Sequence, residues 1–141
     1  MFDLHNNVHP VPVLAPSAGV ADNTAQVGAI VDRAGYEALE YIIQTGTLGT
    51  AAATFTVLLE EGDKADMSDA AAVSDTDLIG TEALASFNGN DDGKCFKLGY
   101  KGGKRYTRIT ITPASNASAA PFSVVAVLGR PGSAPTANPP A

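Results

Sequence analysis

Apolar and polar side chains alternate at every second residue through much of this sequence. In an extended strand this alternation places the apolar side chains on one face, where they can be buried together. Turn-forming residues, densest at 88–93, separate the alternating segments. The sequence therefore predicts an all-β fold, an antiparallel β-sandwich with a jelly-roll-like arrangement. The predicted strands lie at 39–43, 55–59, 96–100, 107–111 and 122–128, with weaker candidates at 26–31 and 78–87.

Two adjacent glycines, Gly102 and Gly103, separate two of the predicted strands. Paired glycines between strands are typical of hairpin turns, because the favoured turns need positive φ. The sequence therefore predicts a β-hairpin here, and basic side chains at its tip are candidate contacts with an acidic neighbour. Those contact residues are Lys101, Lys104 and Arg105. The segment lacks the order of strand, glycine-rich loop and helix that a phosphate-binding loop requires.

The two ends of the chain differ from its middle, which we predict to be a β-sandwich body over residues 27–130. Prolines alternate with apolar residues near the N-terminus, so residues 1–26 should form an extended arm that docks on the body or on a partner. Residues 131–141 are rich in Pro, Gly, Ser and Ala, which predicts a mobile or surface-draped tail. The arm residues expected to make contacts are Phe2, Leu4, Val11, Val13 and Leu14. Deletion of residues 1–20 should then leave the body folded but weaken binding.

Charge constrains the possible partners of this 141-residue chain. Its net charge of −6 argues against nucleic-acid binding, for which a basic surface is normal. Basic residues concentrate at 94–108 and acidic ones at 60–77, which indicates either solvated loops or contacts between copies. The sequence has no apolar run long enough for a transmembrane helix and no basic start typical of a secretory signal. We therefore expect a soluble protein that is made inside the cell and binds no membrane.

Candidate catalytic and metal-binding residues are sparse. The two histidines, His5 and His9, lie in the extended arm, and Cys95 is predicted to be a buried thiol within a strand. The acidic residues of 63–77 lie among Ala, Ser and Gly in a predicted irregular loop, where carboxylates are normally solvated. The Asn and Asp residues of 88–93 lack the later glutamate of a calcium loop. We therefore expect no enzyme activity, no metal and no cofactor.

Four blocks of the sequence resemble a known family over roughly residues 28–130. They are DRAGYEALEY at 32–41, ATFTVLLEEGD at 53–63, LIGTEA at 78–83 and GYKGGKRY at 99–106. In order and spacing they are similar to small proteins encoded in the head-gene clusters of tailed bacteriophages and prophages. The resemblance implies a β-rich decoration, or cement, protein that lies on the virion capsid after synthesis in the host bacterial cytoplasm.

A decoration protein of this kind implies specific partners. The resemblance predicts a homo-oligomer, most simply a trimer, that bridges neighbouring subunits of the major capsid protein. Two alternatives remain: a receptor- or glycan-binding β-sandwich module, or a neck or tail component of the same virion. The sequence contains four Tyr, five Phe and no Trp, a low supply of the aromatic faces that bind sugars.

Overall fold

Antiparallel strands account for almost all regular structure in the protein. The structure is a computed structural model that describes residues 2–140. The strands are β1 (Val8–Leu14), β2 (Gln26–Val27), β3 (Val31–Asp32), β4 (Tyr36–Thr45), β5 (Thr54–Gly62), β6 (Ala71–Ala72), β7 (Leu78–Ile79), β8 (Phe87–Asn88), β9 (Cys95–Tyr100), β10 (Tyr106–Ala114) and β11 (Phe122–Pro131). One short helix, α1 (Glu82–Ala85), precedes β8. All five strands predicted with strong alternation are confirmed, as is the all-β class.

The strands form two sheets that pack face to face. The larger sheet has the order β1-β11-β4-β9-β7. The smaller sheet has the order β2-β10-β5-β6, with β3 also paired to β10 and β8 to β5. From β4 onwards the long strands alternate between the sheets, and β11 lies between β1 and β4. This is the double Greek-key arrangement of a jelly-roll sandwich.

The alternating positions meet in a single core between the sheets. From β4 the core receives Leu39, Tyr41 and Ile43, which are at most 3% exposed. From the opposite sheet Ile109 and its neighbours on β5 and β10 meet them, also fully buried. The Tyr41 hydroxyl lies 2.6 Å from the Thr107 hydroxyl, a hydrogen bond across the core. Burial raises the pKa of Tyr41, so this pair stays neutral.

The arm residues 8–14 form a strand of this chain's own sheet. β1 pairs antiparallel with β11 from Val8 opposite Gly129 to Leu14 opposite Val124. It is an edge strand, which agrees with the exclusion of Pro10 and Pro12 from a central strand. The Ala29 amide, from the chain between β2 and β3, also donates to the Val13 carbonyl at 3.0 Å. The arm therefore docks on the body and connects the two sheets.

The C-terminal tail lies over the start of the chain. The Thr136 amide donates to the Asn6 carbonyl at 3.0 Å, and its hydroxyl donates to the Val8 carbonyl at 2.6 Å. Asn138 and His5 are 3.3 Å apart through their side-chain nitrogens. Thr136 and Asn138 thus contact the start of the chain, whereas Pro131, predicted as the first residue of the tail, is the last residue of β11.

Two local predictions are wrong. Cys95 is exposed instead of buried, because β9 begins at this residue with its side chain on the outer face of the sheet. The weaker strand candidate at 78–87 is also wrong, because two short strands, β7 and β8, lie there with α1 between them. A four-residue helix is too short to show helical periodicity. Its start is capped by the Thr81 hydroxyl, which accepts from the Leu84 amide at 3.0 Å.

Candidate functional site

The outer face of the larger sheet carries a band of exposed apolar side chains. Strand pairing aligns Pro12, Val125 and Ile42 in one row across β1, β11 and β4. Ile79 from β7 and Leu84 from α1 extend the band, with 56% and 73% of their surfaces exposed. We call these five residues the apolar face. Lys97 continues the row beyond Ile42, so the apolar side chains lie on both sides of a charged position. Groups of exposed apolar side chains mark interaction sites more often than single ones do.

Glu40 lies in the middle of the apolar face. It lines two adjoining grooves together with Ile79, one of about 480 Å³ towards Leu84 and one of about 380 Å³ towards Arg130. Glu40 is paired with Gly99 across β4 and β9. A β-carbon at Gly99 would lie 2.6 Å from a Glu40 carboxylate oxygen and 2.9 Å from the Ile79 β-carbon. The glycine therefore provides the space in which the carboxylate lies.

The Glu40 carboxylate has neither a hydrogen bond nor an ion pair among residues 2–140. Burial raises its pKa above the ordinary glutamate value, and the positive charge of nearby Lys97 opposes this only in part. The carboxylate is thus partly removed from water without a group that compensates for it. Such a group lowers the stability of the folded chain when it is charged.

We expect Glu40→Gln to raise the melting temperature slightly at pH 7. The folded wild-type chain favours the protonated form of Glu40, because the pKa of this carboxyl is raised by burial. This contribution to wild-type stability is complete below the unfolded pKa of about 4.3 and is lost as pH rises through the folded pKa. The advantage of the variant should therefore shrink as pH falls towards 4. Thermal melts of both proteins from pH 4 to 7 measure this. A variant that is less stable at pH 7 would contradict an uncompensated carboxylate.

The segment predicted as a hairpin instead crosses between the sheets. β9 pairs with β4 and β7 in the larger sheet, whereas β10 pairs with β5 in the smaller one. The hairpin prediction is wrong because the two strands belong to opposite layers. Gly102 allows the backbone to pass close to the Tyr100 side chain. A β-carbon at this position would lie 2.5 Å from the Tyr100 hydroxyl and 2.6 Å from its ring.

Tyr100 organises this crossing loop. Its hydroxyl donates to a Glu61 carboxylate oxygen at 2.5 Å and accepts from the Lys104 amide at 3.0 Å. The Arg33 guanidinium lies 5.4 Å from the Tyr100 ring centroid and donates to the Gly102 carbonyl at 2.9 Å. Burial and the adjacent Glu61 raise the pKa of Tyr100 to about 12. The loop is therefore held by specific bonds instead of being free to adapt to a partner.

Tyr100→Phe should reduce the free energy of unfolding by about 1–3 kcal/mol. The variant loses the hydrogen bond to the Glu61 carboxylate and the one from the Lys104 amide. Between pH 10 and about 12 the difference from wild type should shrink. The raised pKa contributes stability that is complete below pH of about 10 and lost as Tyr100 ionises in the folded chain. Urea unfolding at pH 7, 10 and 12 tests this, and equal stability at pH 7 would contradict it.

Two of the three basic contact candidates form ion pairs within the chain. Lys104 lies 2.6 Å from the Asp63 carboxylate, and Arg105 contacts Asp32 with two nitrogens at 2.9 Å. Lys101 is exposed and borders the groove near Arg130. The basic and acidic segments thus meet on the same molecule, because β5 and β10 are paired neighbours. Their segregation in sequence does not require a second copy.

The predicted arm contacts fall into two groups. Phe2 and Leu4 precede β1 and are exposed, at 102% and 72%. Val13 is 6% exposed and lies in the core, where Val11 and Leu14 pack against it. The last three therefore face their own chain and are not available to a partner while β1 remains in place.

Exposed apolar side chains lie on both sheets. Ile42 lies on the larger sheet, whereas Leu58 and Tyr106 lie on the smaller one. Ile42 and Leu58 are each 38% exposed, so both face outward. They do not form one patch, because the sandwich places them on opposite sides.

Possible catalytic and metal-binding side chains do not come together in residues 2–140. No group of three or more His, Cys, Asp or Glu in this range could hold a metal ion. His9 stacks on Tyr36 with ring centroids 5.7 Å apart, and His5 contacts the tail. Asp91 accepts from the Asn88 amide and pairs with Lys94, as in a tight loop. Over the same range no helix has the length and apolar character needed to cross a membrane.

The fold is an antiparallel β-sandwich with exposed apolar side chains on the outer face of its larger sheet. The chain matches no protein-family model and no curated protein sequence. Among solved structures it is similar to the PBSX exported protein XepA, with 15% identity and a TM-score of 0.54 over 92% of this chain. The match covers 39% of XepA, so this chain spans about two-fifths of that protein.

Two further structures are more distant. The SPBc2 prophage-derived protein YomS has 8% identity and a TM-score of 0.49, covering 88% of this chain and 94% of YomS. The CBM22-1-GH10 modules of the Clostridium thermocellum xylanase Xyn10B, complexed with xylohexaose, have 12% identity and a TM-score of 0.44, with coverages of 95% and 28%. At such identities the likeness to XepA establishes a shared fold, and the other two add no argument.

Sequence reasoning did not single out Glu40 or the apolar face. Along β4 Glu40 is one polar residue in a regular alternation. Its distinctive position arises from Gly99, 59 positions further along the chain, and from Ile79. A glycine inside a strand signals close approach of another group, which is the one sequence signal that could have indicated this site.

Proposed function

We propose that this chain is a structural protein of a tailed-phage virion that decorates and stabilises the outer surface of the icosahedral capsid. It would bridge neighbouring major capsid protein subunits as a homotrimer and would perform no catalysis. The observation that supports binding is the apolar face, a grooved surface on the outer side of a sheet whose inner side packs in the core. The step from a binding protein to a decoration protein rests on the four sequence blocks that resemble head-cluster proteins.

The surfaces available for this role are the apolar face and the N-terminal residues ahead of β1. Phe2 and Leu4 present apolar side chains near one end of the sandwich, and Lys101 provides an exposed positive charge. Val11, Val13 and Leu14 do not belong to the proposed contact surface, because they pack in the core. Lys104 and Arg105 contribute less than expected, since their charges already have partners.

A glycan-binding role has weaker support. Sugar sites on β-sandwiches generally rely on stacked aromatic rings, and the apolar face contains Pro, Ile, Val and Leu only. Phe2 is the one large aromatic side chain among the exposed apolar residues of 2–140. These residues favour packing against another protein surface.

Copy number in purified virions tests the proposal. Quantitative mass spectrometry against the major capsid protein should give copies in the hundreds per particle, and native mass spectrometry of the purified protein should give a trimer. A handful of copies per particle would favour a neck or tail component. Absence from the virion, with specific binding on a glycan array, would overturn the proposal in favour of a glycan-binding module.

A further inference from the structure

We propose that Glu40 is the charged anchor of the capsid-binding face and receives a Lys or Arg side chain from the major capsid protein. Apolar residues around that basic side chain would cover Ile42, Ile79 and Val125. This inference rests on the proposed function and deepens it, because it names the chemistry that the shell must present. It treats the face as a contact with the shell and not as a contact between copies.

The position of Glu40 supports the role of an anchor. Its carboxylate lies where the two grooves of the larger sheet meet, between the exposed side chains of β4 and Ile79. Gly99 provides the space in which this carboxylate lies. A long basic side chain could therefore lay its apolar stem along Ile42 or Ile79 and bring its charge to the carboxylate.

The negative charge of Glu40 favours a partner that presents a positive charge. Five acidic side chains of residues 2–140 pair with Lys or Arg, in Lys94–Asp91, Lys104–Asp63, Arg105–Asp32, Arg108–Glu60 and Arg130–Glu37. Exposed carboxylates such as Asp75 have no such partner but remain in water, whereas Glu40 is partly buried. Glu40 has none among residues 2–140, although the charge of Lys97 acts on it. A carboxylate can only accept hydrogen bonds when ionised, so a cationic donor compensates its burial best.

The same electrostatics disfavour a second copy as the occupant. Each chain carries a net charge of −6, so a second copy would bring no net positive charge to this carboxylate. The proposed homotrimer would form through other surfaces. A basic patch on a different protein would be attracted by that charge and would then find the carboxylate already partly dehydrated.

Binding to empty shells of the cognate major capsid protein tests the inference. Wild type should bind, and Glu40→Gln should bind about tenfold more weakly, because a charge-assisted hydrogen bond is replaced by a weaker neutral one. Glu40→Lys should bind more weakly still. Wild-type affinity should fall as salt is raised, and the dependence on salt should be smaller for Glu40→Gln.

Matched controls separate this site from general effects. Asp75→Asn removes one exposed negative charge whose carboxylate accepts no hydrogen bond in the described chain, so it should leave shell binding unchanged. Ile42→Asn and Leu58→Asn alter side chains of equal 38% exposure on opposite sheets. Only Ile42→Asn should weaken binding. Circular dichroism and thermal melts establish that each variant is folded.

Three outcomes would overturn the inference. Wild-type affinity in Glu40→Gln would remove Glu40 as the anchor while leaving the decoration role intact. An oligomer that dissociates in Ile42→Asn but not in Leu58→Asn, measured by light scattering, would assign the face to a second copy. A wild-type protein that does not bind shells would overturn the proposed function and the inference together.

Discussion

Removal of residues 1–14 should unfold the sandwich or make it aggregate. The deletion takes away β1, exposes the paired edge of β11 and opens the core at Val13. Val13 is buried, and full burial of such a side chain contributes roughly 1.5–3 kcal/mol against a total stability of about 5–15 kcal/mol. Val11 and Leu14 are partly buried against the core and contribute less. Circular dichroism, thermal melts and size-exclusion chromatography of the truncated protein measure the effect. The structure thus replaces the expectation that the body folds without its arm.

A shorter truncation is the matched control. Removal of residues 1–7 takes Phe2 and Leu4 but keeps all of β1, and it loses only the surface contacts with the tail. This variant should melt close to the wild-type temperature. A folded, monodisperse protein lacking residues 1–14 would show that β1 is dispensable and that the arm is free to dock elsewhere.

Phe87→Ala should reduce the free energy of unfolding by about 3–5 kcal/mol and lower the melting temperature by roughly 10–15 °C. Phe87 is 4% exposed and its ring contacts three others, at centroid distances of 4.8 Å to Phe55 and 5.5 Å to both Phe96 and Phe122. Phe55 and Phe87 belong to the smaller sheet, and the other two belong to the larger one. The substitution therefore leaves a cavity where the two sheets are joined.

Phe2→Ala provides the comparison for the same chemical change. Phe2 is fully exposed, so its loss should shift the melting temperature by little. Urea denaturation of both variants gives the two free energies directly. Similar effects at the two positions would contradict the assignment of Phe87 to the centre of the aromatic cluster.

Different residues hold the fold together and remain exposed for binding. The core and the β9–β10 crossing hold the sandwich rigid through Tyr41, Phe87 and Tyr100. The apolar face and Glu40 remain available to a partner. A rigid scaffold with a preformed face loses little conformational entropy on binding, which suits a protein repeated many times over a shell.

The strands could be predicted from local sequence because the alternation of side chains along a strand reflects which of its faces is buried. Ile109 and Ile111 alternate with Thr110 because one face of β10 meets the core, and this pattern needs no knowledge of the partner strand. Pro10 and Pro12 likewise limited their segment to an edge strand or an arm. The all-β class and the strand positions were therefore predictable.

Pairing between distant segments was not predictable in the same way. The two glycines at 102 and 103 indicated a reversal, but a hairpin and a crossing between sheets use the same local residues. The choice depended on the partners of β9 and β10, which lie far away in sequence. The same holds for Cys95, whose exposure depends on the face that β9 turns outward.

By itself, the sequence determined the strands, their buried faces, the edge position of the proline-rich segment and the absence of a recognisable catalytic motif. Tertiary structure alone decided that β1 completes the chain's own sheet and that the charged segments pair within one molecule. It also placed the Glu40 carboxylate over Gly99 beside Ile79. The physical reason is that side-chain alternation is a property of one strand, whereas register, crossing and charge compensation arise only when strands from distant parts of the chain meet.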